Sequence, residues 1–129
     1  KGIALEFKRR WPAMYFEYRD RCATGLFAMA SVFRWEVPPT ALPRSIFCLG
    51  TQRTPGPRAS LIAVGASVGR MLQMCEDNPA WGIRRIGIPQ IGAGLGGLLW
   101  RDVRLTLERV AAEHPLIDLV VVSLPEVAQ

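Results

Sequence analysis

The stretch I-G-I-P-Q-I-G-A-G-L-G-G-L-L-W, from Ile86 to Trp100, decides the fold of this chain. It begins as an apolar run typical of a buried strand and ends in a helical pattern. Between them lies the glycine loop, Gly92–Gly97, whose glycines allow positive φ angles and let a ligand approach backbone N–H groups. The start of the next helix directs free N–H groups to the same place. The pattern indicates an anion-binding loop, although such turns also occur for packing alone.

The length, charge and cysteine content of the chain limit the functions that this loop can have. Half of the 129 residues are apolar, which suffices for one packed domain. A formal net charge of +5 favours an anionic partner such as a nucleotide or nucleic acid, unless the arginines only solvate helix faces. Cys22, Cys48 and Cys75 form no C-x-x-C pair, so we expect reduced core residues of a cytoplasmic protein. No apolar run is long enough to span a bilayer, so no membrane partner is expected.

Residues 1–22 form a basic amphipathic segment. Its apolar side chains recur at helical spacing, and Pro12 fits best in the first turn of a helix, so we expect one helix to about Arg10 and another over 12–22. The aromatic residues of this segment suit either nucleic-acid binding or core packing, and their place on the apolar stripe favours the core. If the anionic partner is DNA, the candidate phosphate contacts are Arg9, Arg10 and Arg53.

The rest of the chain alternates between strand and helix patterns. Helices are predicted from about residue 61, after an N-cap at Ser60 or an upstream residue, to 78, and from the glycine loop to His114. This alternation implies an α/β layered fold with a largely parallel sheet, which binds ligands beyond the carboxyl ends of its strands. The runs 45–50 and 119–124 are continuously apolar, as in inner strands covered on both faces. The four predicted strands span residues 26–36, 45–50, 86–91 and 119–124.

Several common chemistries do not fit. The single histidine, His114, gives no metal cluster and no Ser-His-Asp triad, and is simply a cation near a helix end. The glycine loop lacks the Gly-Lys-Ser/Thr ending of a P-loop, which disfavours hydrolysis of nucleoside triphosphates. The loop also differs from the dinucleotide fingerprint, which follows the first strand of its fold.

Three motifs together resemble a macro domain: the segment Lys1–Pro12 followed by Tyr18-Arg19, the T-x-R of Thr51–Arg53, and I-P-Q-I-G-A-G-L-G-G-L-L-W. The sequence is most similar to the branch that contains the DNA ADP-ribosyl glycohydrolase antitoxins (DarG) and the human terminal ADP-ribose glycohydrolase. The resemblance implies a three-layer α/β macro-type fold, with a mixed, mostly parallel sheet flanked by helices. We expect one such domain over residues 1–129, with the family's N-terminal strand or strands missing.

The resemblance also implies a function and a site. Members bind ADP-ribose, and the branch includes enzymes that remove it from modified nucleobases or carboxylates, so ADP-ribose and ADP-ribosylated DNA are the expected ligands. No metal or other cofactor is implied. The loop that wraps the diphosphate and distal ribose is matched by Gly92, Ala93, Gly94, Leu95, Gly96 and Gly97. Gly2 matches the end of a second ligand loop, Thr51 lies in the T-x-R motif, and Ser123 and Leu124 match the strand end beside the adenine.

One position departs from the family in its chemistry. After Thr51, active members carry a lysine that attacks or polarises the sugar carbon, and this chain has Gln52. A glutamine amide forms no Schiff base and has no titratable nitrogen, so Gln52 can only orient a ligand by hydrogen bonds. Gly96, likewise, replaces an aspartate of the human enzyme. Three functions remain open: an ADP-ribosyl hydrolase that acts without this lysine, a reader that binds ADP-ribose or a related nucleotide, and a basic nucleic-acid-binding module.

Overall fold

The computed structural model describes residues 3–26, 28–38, 44–51, 59–93 and 96–123, and the chain forms four α-helices and four strands there. The α/β class predicted from the sequence is confirmed. The helices are α1 (Ile3–Arg10), α2 (Pro12–Ala23), α3 (Leu61–Asp77) and α4 (Trp100–Ala112). The strands are β1 (Val32–Glu36), β2 (Ser45–Leu49), β3 (Arg85–Ile88) and β4 (Asp118–Val121), and one turn of 3-10 helix, Pro79–Trp81, precedes β3. None of the described helices is long and apolar enough to cross a membrane.

Helices α1 and α2 form one kinked rod, because backbone hydrogen bonds bridge the junction before Pro12. The Trp11 amide donates to the Phe7 carbonyl at 2.8 Å, and the Tyr15 amide donates to the Trp11 carbonyl at 3.2 Å. Pro12 stands in the first turn of α2, where its missing N–H costs nothing, as predicted. Met14 is the buried residue of α2, whereas Trp11 and Tyr15 are only half-buried.

Strands β1 and β2 pair antiparallel, and β2 is covered on both faces, as predicted, although β1 is its only strand neighbour among the described residues. Ile46 and Cys48 pack in a small apolar cluster with residues of α1 and α2, including Met14. Phe47 and Leu49, which alternate with them, pack against the larger cluster around α3. Helices therefore lie on both sides of this strand pair, which gives three layers.

The predicted strand over 26–36 is too long at its N-terminal end. β1 begins only at Val32, because the residues before it form a turn in which Ala30 has a φ of 66°. The turn is closed by a hydrogen bond from the Ser31 amide to the Ala28 carbonyl at 3.1 Å. Apolar composition alone predicted a strand here and did not reveal the turn.

Strands β3 and β4 pair in parallel, with Gly87 opposite Val120, and α4 connects them. The prediction of a buried final strand over 119–124 is wrong, since Val120 is 41% and Val122 is 57% exposed. Leu119 packs against the main cluster with α3 and α4, but the opposite face of this pair is open within the described residues.

Helices α3 and α4 pack side by side and run in the same direction. A Cβ atom built on Gly65 would lie 3.0 Å from Thr106 Cγ2, and further along, His114 Nδ1 lies 2.7 Å from Glu76 Oε1. His114 is thus bound to a carboxylate of the neighbouring helix, a partner that the sequence did not indicate. The main core between these helices and the strands consists of Val64, Val68, Met71, Leu72, Cys75, Ile88, Val103, Leu107 and Ile117.

The three cysteines are free, but they are not all core residues as predicted. Cys75 is buried and Cys48 half-buried, whereas Cys22, near the end of α2, is exposed. Burial, followed by the nearby Cys22, raises the pKa of the Cys48 thiol to about 11, above its ordinary value of 9.0.

We expect stability to fall as the pH rises from about 9 to about 11, in part because of Cys48. In that window the unfolded chain releases the Cys48 proton before the folded chain does, so the contribution present below pH 9 is lost. Cys48→Ala should therefore flatten the decline in the free energy of unfolding, by about 3 kcal/mol at most. Urea unfolding across this pH range would measure it. The unsubstituted chain is the control, and an equal slope in Cys48→Ala would contradict the prediction.

Candidate functional site

The glycine loop leaves the carboxyl end of β3 and is closed by its own backbone. The Ala93 amide donates to the Gln90 carbonyl at 3.3 Å, and the Leu98 amide donates to the Gly92 carbonyl at 2.9 Å. Gly92 and Gly97 have φ angles of 77° and 84°, which residues with a Cβ rarely adopt. Glycine is therefore required at these two positions by the turn itself.

The glycine loop packs against the first turn of α3. A Cβ atom on Gly92 would lie 2.9 Å from Leu98 Cδ1 and 3.3 Å from Cγ2 of the fully buried Val64. Any side chain at position 92 must therefore push into the core or outward from the loop.

Two backbone hydrogen bonds join the end of β2, the start of α3 and the glycine loop. The Ser60 amide donates to the Thr51 carbonyl at 2.8 Å, and the Ala59 amide donates to the Gly96 carbonyl at 3.1 Å. Ser60 is the N-cap of α3, as predicted, since its hydroxyl accepts from the Ala63 amide at 3.2 Å. The strand end carrying Thr51 thus lies beside the glycine loop.

The amino ends of two helices converge on this edge. α4 begins at Trp100, shortly after the glycine loop, and its N-cap residue Leu99 supplies no side-chain hydrogen bond. α3, of 17 residues, runs parallel to α4 and starts at the same edge. The first amides of a helix have no partner inside it, and its dipole places partial positive charge there. The sequence predicted this effect for α4 only; the Ser60 cap was the signal that could have identified α3.

Ser123 lies just beyond the carboxyl end of β4, which pairs with β3. In the parallel register Ile88 is opposite Val121, and the Val122 amide donates to the Ile88 carbonyl at 2.7 Å. The exposed Ser123 therefore follows β4 next to the point where the chain leaves β3 for the glycine loop.

The opposite wall of this edge, beside Thr51, is a turn that sequence reasoning missed. The Ala30 amide donates to the Gly50 carbonyl at 2.7 Å, and the Gly50 amide donates to the Ser31 carbonyl at 2.9 Å. A Cβ atom on Gly50 would lie only 2.0 Å from the Ala28 carbonyl oxygen. The turn and the strand end are therefore in direct backbone contact.

The described part of the structure brings six of the predicted ligand-binding residues to one edge: Thr51, Gly92, Ala93, Gly96, Gly97 and Ser123. Thr51 is half-buried, Gly96 is buried, and Gly97 is exposed. The other predicted residues lie outside the described residues: Gly2, Gln52, Gly94, Leu95 and Leu124, together with the basic Arg53.

The described loop side chains at this edge are neutral and small or flexible: Thr51, Ser60, Gln90 and Ser123. The first turn of α4 adds an ion pair, in which Arg101 Nε lies 3.9 Å from Asp102 Oδ1. None of the four loop side chains is a general base, and among the described residues no group of three His, Cys, Asp or Glu side chains could hold a metal ion. The edge therefore offers backbone amides and helix ends, a combination that binds an anion such as a phosphate.

No protein-family model matches the chain. The chain is 28% identical over 121 residues to a DNA ADP-ribosyl glycohydrolase of Mycobacterium tuberculosis, and 30% identical over 108 residues to that of Thermus aquaticus. These matches cover 94% and 84% of the chain but only 34% and 29% of the relatives, so it spans about a third of the length of the curated relatives it matches.

Solved structures agree in fold. The macrodomain of Mycobacterium tuberculosis DarG superposes with a TM-score of 0.84 at 28% identity, covering 98% of this chain and 80% of that one. Thermosipho africanus DarTG in complex with ADP-ribose superposes with a TM-score of 0.77 over the full chain and 35% of its own length, and at 19% identity it supports the fold alone.

Proposed function

Since the chain is a macro domain of the DarG branch, we propose that it binds ADP-ribose at the edge formed by the glycine loop, Thr51 and Ser123, and takes part in reversing ADP-ribosylation. The candidate substrate is ADP-ribosylated DNA, the substrate class that the names of the sequence relatives give. Ligand contacts at Gly2, Gln52, Gly94, Leu95 and Leu124 belong to the same proposal, as does a cytoplasmic location.

One observation carries the proposal: the amino ends of α3 and α4 converge on a glycine loop that is closed by its own backbone. Two helix ends place partial positive charge at one spot, and a glycine-rich loop lets a diphosphate approach its amides. Each helix end contributes about 0.3–1 kcal/mol to holding an anion at an exposed site. The loop side chains named above are neutral, and the Asp102 carboxylate in the first turn of α4 is paired with Arg101.

Gly92→Val is expected to lower the affinity for ADP-ribose about tenfold or more, which corresponds to about 1.4 kcal/mol. The valine cannot hold the φ of 77° without strain, and its side chain meets Leu98 and Val64. Calorimetric titration with ADP-ribose is the measurement. Gly82→Val is the matched control, because Gly82 has a φ of 67°, lies after the 3-10 turn, and has no atom within 4 Å of the place that a Cβ would take. Equal affinities of the two variants would reject the site.

The alternative function is that of a reader, which binds ADP-ribose without cleaving it. Gln52 is the observation that favours it, since an amide supplies neither a nucleophile nor a proton acceptor of suitable pKa. Binding through backbone amides does not depend on that residue. The two functions therefore share one ligand site and differ only in turnover.

A further inference from the structure

One face of the α1–α2 rod carries exposed aromatic and basic side chains that the ADP-ribose site does not use. Phe16 is 51% exposed, and the guanidinium of Arg19 lies 5.1 Å from the centre of its ring. The ammonium of Lys8 lies 4.4 Å from the centre of the Tyr15 ring, and the two aromatic rings are 5.9 Å apart. We name Lys8, Tyr15, Phe16 and Arg19 the cationic aromatic face.

Ring contacts bring these four residues together at the junction of the two helices. Tyr15, Phe16 and Arg19 lie within about one turn of α2. Lys8 lies on α1 and reaches the Tyr15 ring across Trp11, whose φ of −133° and ψ of 72° interrupt the helical register. The face is therefore a cluster that these contacts hold together.

The cations of this face differ from the two arginines predicted to contact DNA. Arg9 and Arg10 both hydrogen-bond the carboxylate of Glu6, and these bonds hold the pKa of that carboxyl below its usual value. Lys8 and Arg19 face aromatic rings instead, and within the described residues neither belongs to an ion pair. Their charge is thus available to a phosphate.

The chemistry of the face matches one ligand. An exposed ring offers a π surface on which a base can stack, and neighbouring cations can contact the backbone phosphates. Proteins that bind single strands without sequence preference use this combination. A duplex hides its base faces and would use only the cations. We propose that the cationic aromatic face binds single-stranded DNA, and this rests on the proposed function, in which DNA carries the ADP-ribose.

The position of the face fits this role. Arg19 lies one helical turn before Ala23, the end of α2, or about 6 Å along its axis. The chain then passes into the turn at Ala30, which is bonded to Gly50 beside Thr51. A DNA strand that extends from the ADP-ribose edge past the turn at Ala30 would next meet α2.

The test is fluorescence anisotropy with an unmodified, labelled single-stranded oligonucleotide of about 15 nucleotides, within the usual site sizes for such proteins. Phe16→Ala and Arg19→Glu are each expected to weaken binding about fivefold or more, and Arg19→Glu to lower the salt slope by about 0.7 for each phosphate that the arginine neutralised. Leu105→Ala is the control for Phe16, since Leu105 is also 51% exposed, and Arg104→Glu on α4 is the control for Arg19.

Each outcome decides for or against this surface. Weaker binding by the two face variants but not by the controls supports the proposal, as does weaker binding of a duplex of the same length. Three results would overturn it. They are no binding of the oligonucleotide by the unsubstituted chain, an equal loss of affinity in the control variants, and duplex binding as tight as single-strand binding with an affinity that Phe16→Ala does not change. The probe carries no ADP-ribose, so a failure of ADP-ribose to bind in calorimetry would reject the proposed function and leave this result standing.

Discussion

Gly50→Ala is expected to destabilise the protein by about 3 kcal/mol or more, a large part of the 5–15 kcal/mol that holds a typical domain. The new methyl carbon would lie 2.0 Å from the Ala28 carbonyl oxygen, and this oxygen belongs to the backbone and cannot rotate away. Relieving the overlap would break the hydrogen bonds between Gly50 and the Ala30 and Ser31 backbone. Urea unfolding, monitored by circular dichroism, would give the loss.

Gly69→Ala is the matched control for this substitution and is expected to have the opposite sign. A Cβ atom at position 69, inside α3, would lie 3.5 Å from Val110 Cγ1, an ordinary contact distance. Alanine stabilises a helix by about 0.5–1 kcal/mol relative to glycine. If Gly50→Ala were tolerated as well as Gly69→Ala, the close contact between Gly50 and the turn at Ala30 would be contradicted.

The second large effect is expected at Gln52. The natural chain should release ADP-ribose from modified DNA or protein slowly or not at all, and Gln52→Lys should raise the rate tenfold or more. A lysine amine with a lowered pKa can attack the sugar carbon, whereas an amide cannot. Tenfold corresponds to only about 1.4 kcal/mol of transition-state stabilisation. Single-turnover release of ADP-ribose from both substrates is the measurement.

Gln52→Arg separates charge from nucleophilicity, because arginine brings the positive charge but stays protonated. An equal gain with arginine would mean that the lysine acts electrostatically. Fast release by the natural chain would show that another residue carries the chemistry and that the chain is not a reader.

The elements with strong periodicity were predictable from the sequence. α3 follows from the spacing of Val64, Val68 and Leu72 and from the Ser60 cap, and α2 from the place of Pro12. Both are local signals, in which the side chains that define the element lie within a few residues of one another.

The elements that depend on distant contacts were not predictable in the same way. The turn at Ala30 exists because Gly50, twenty residues later, bonds to it, and no local pattern contains that information. Val120 and Val122 were predicted to be buried, yet they are exposed because exposure depends on what covers the strand from elsewhere in the chain. For the same reason the glycine loop could be predicted from the sequence, but the position of the amino end of α3 beside it could not.

Among the described residues, two apolar clusters of unequal size meet across β1 and β2, with nine buried residues around α3 and three beside α1 and α2. Backbone amides of α3 should therefore exchange hydrogen with solvent only when the whole domain unfolds. Those of the α1–α2 rod need only the separation of the small cluster, an opening of lower free energy. The proposed ADP-ribose edge would then belong to the more stable unit, and the cationic aromatic face to the unit that is expected to open at lower free energy.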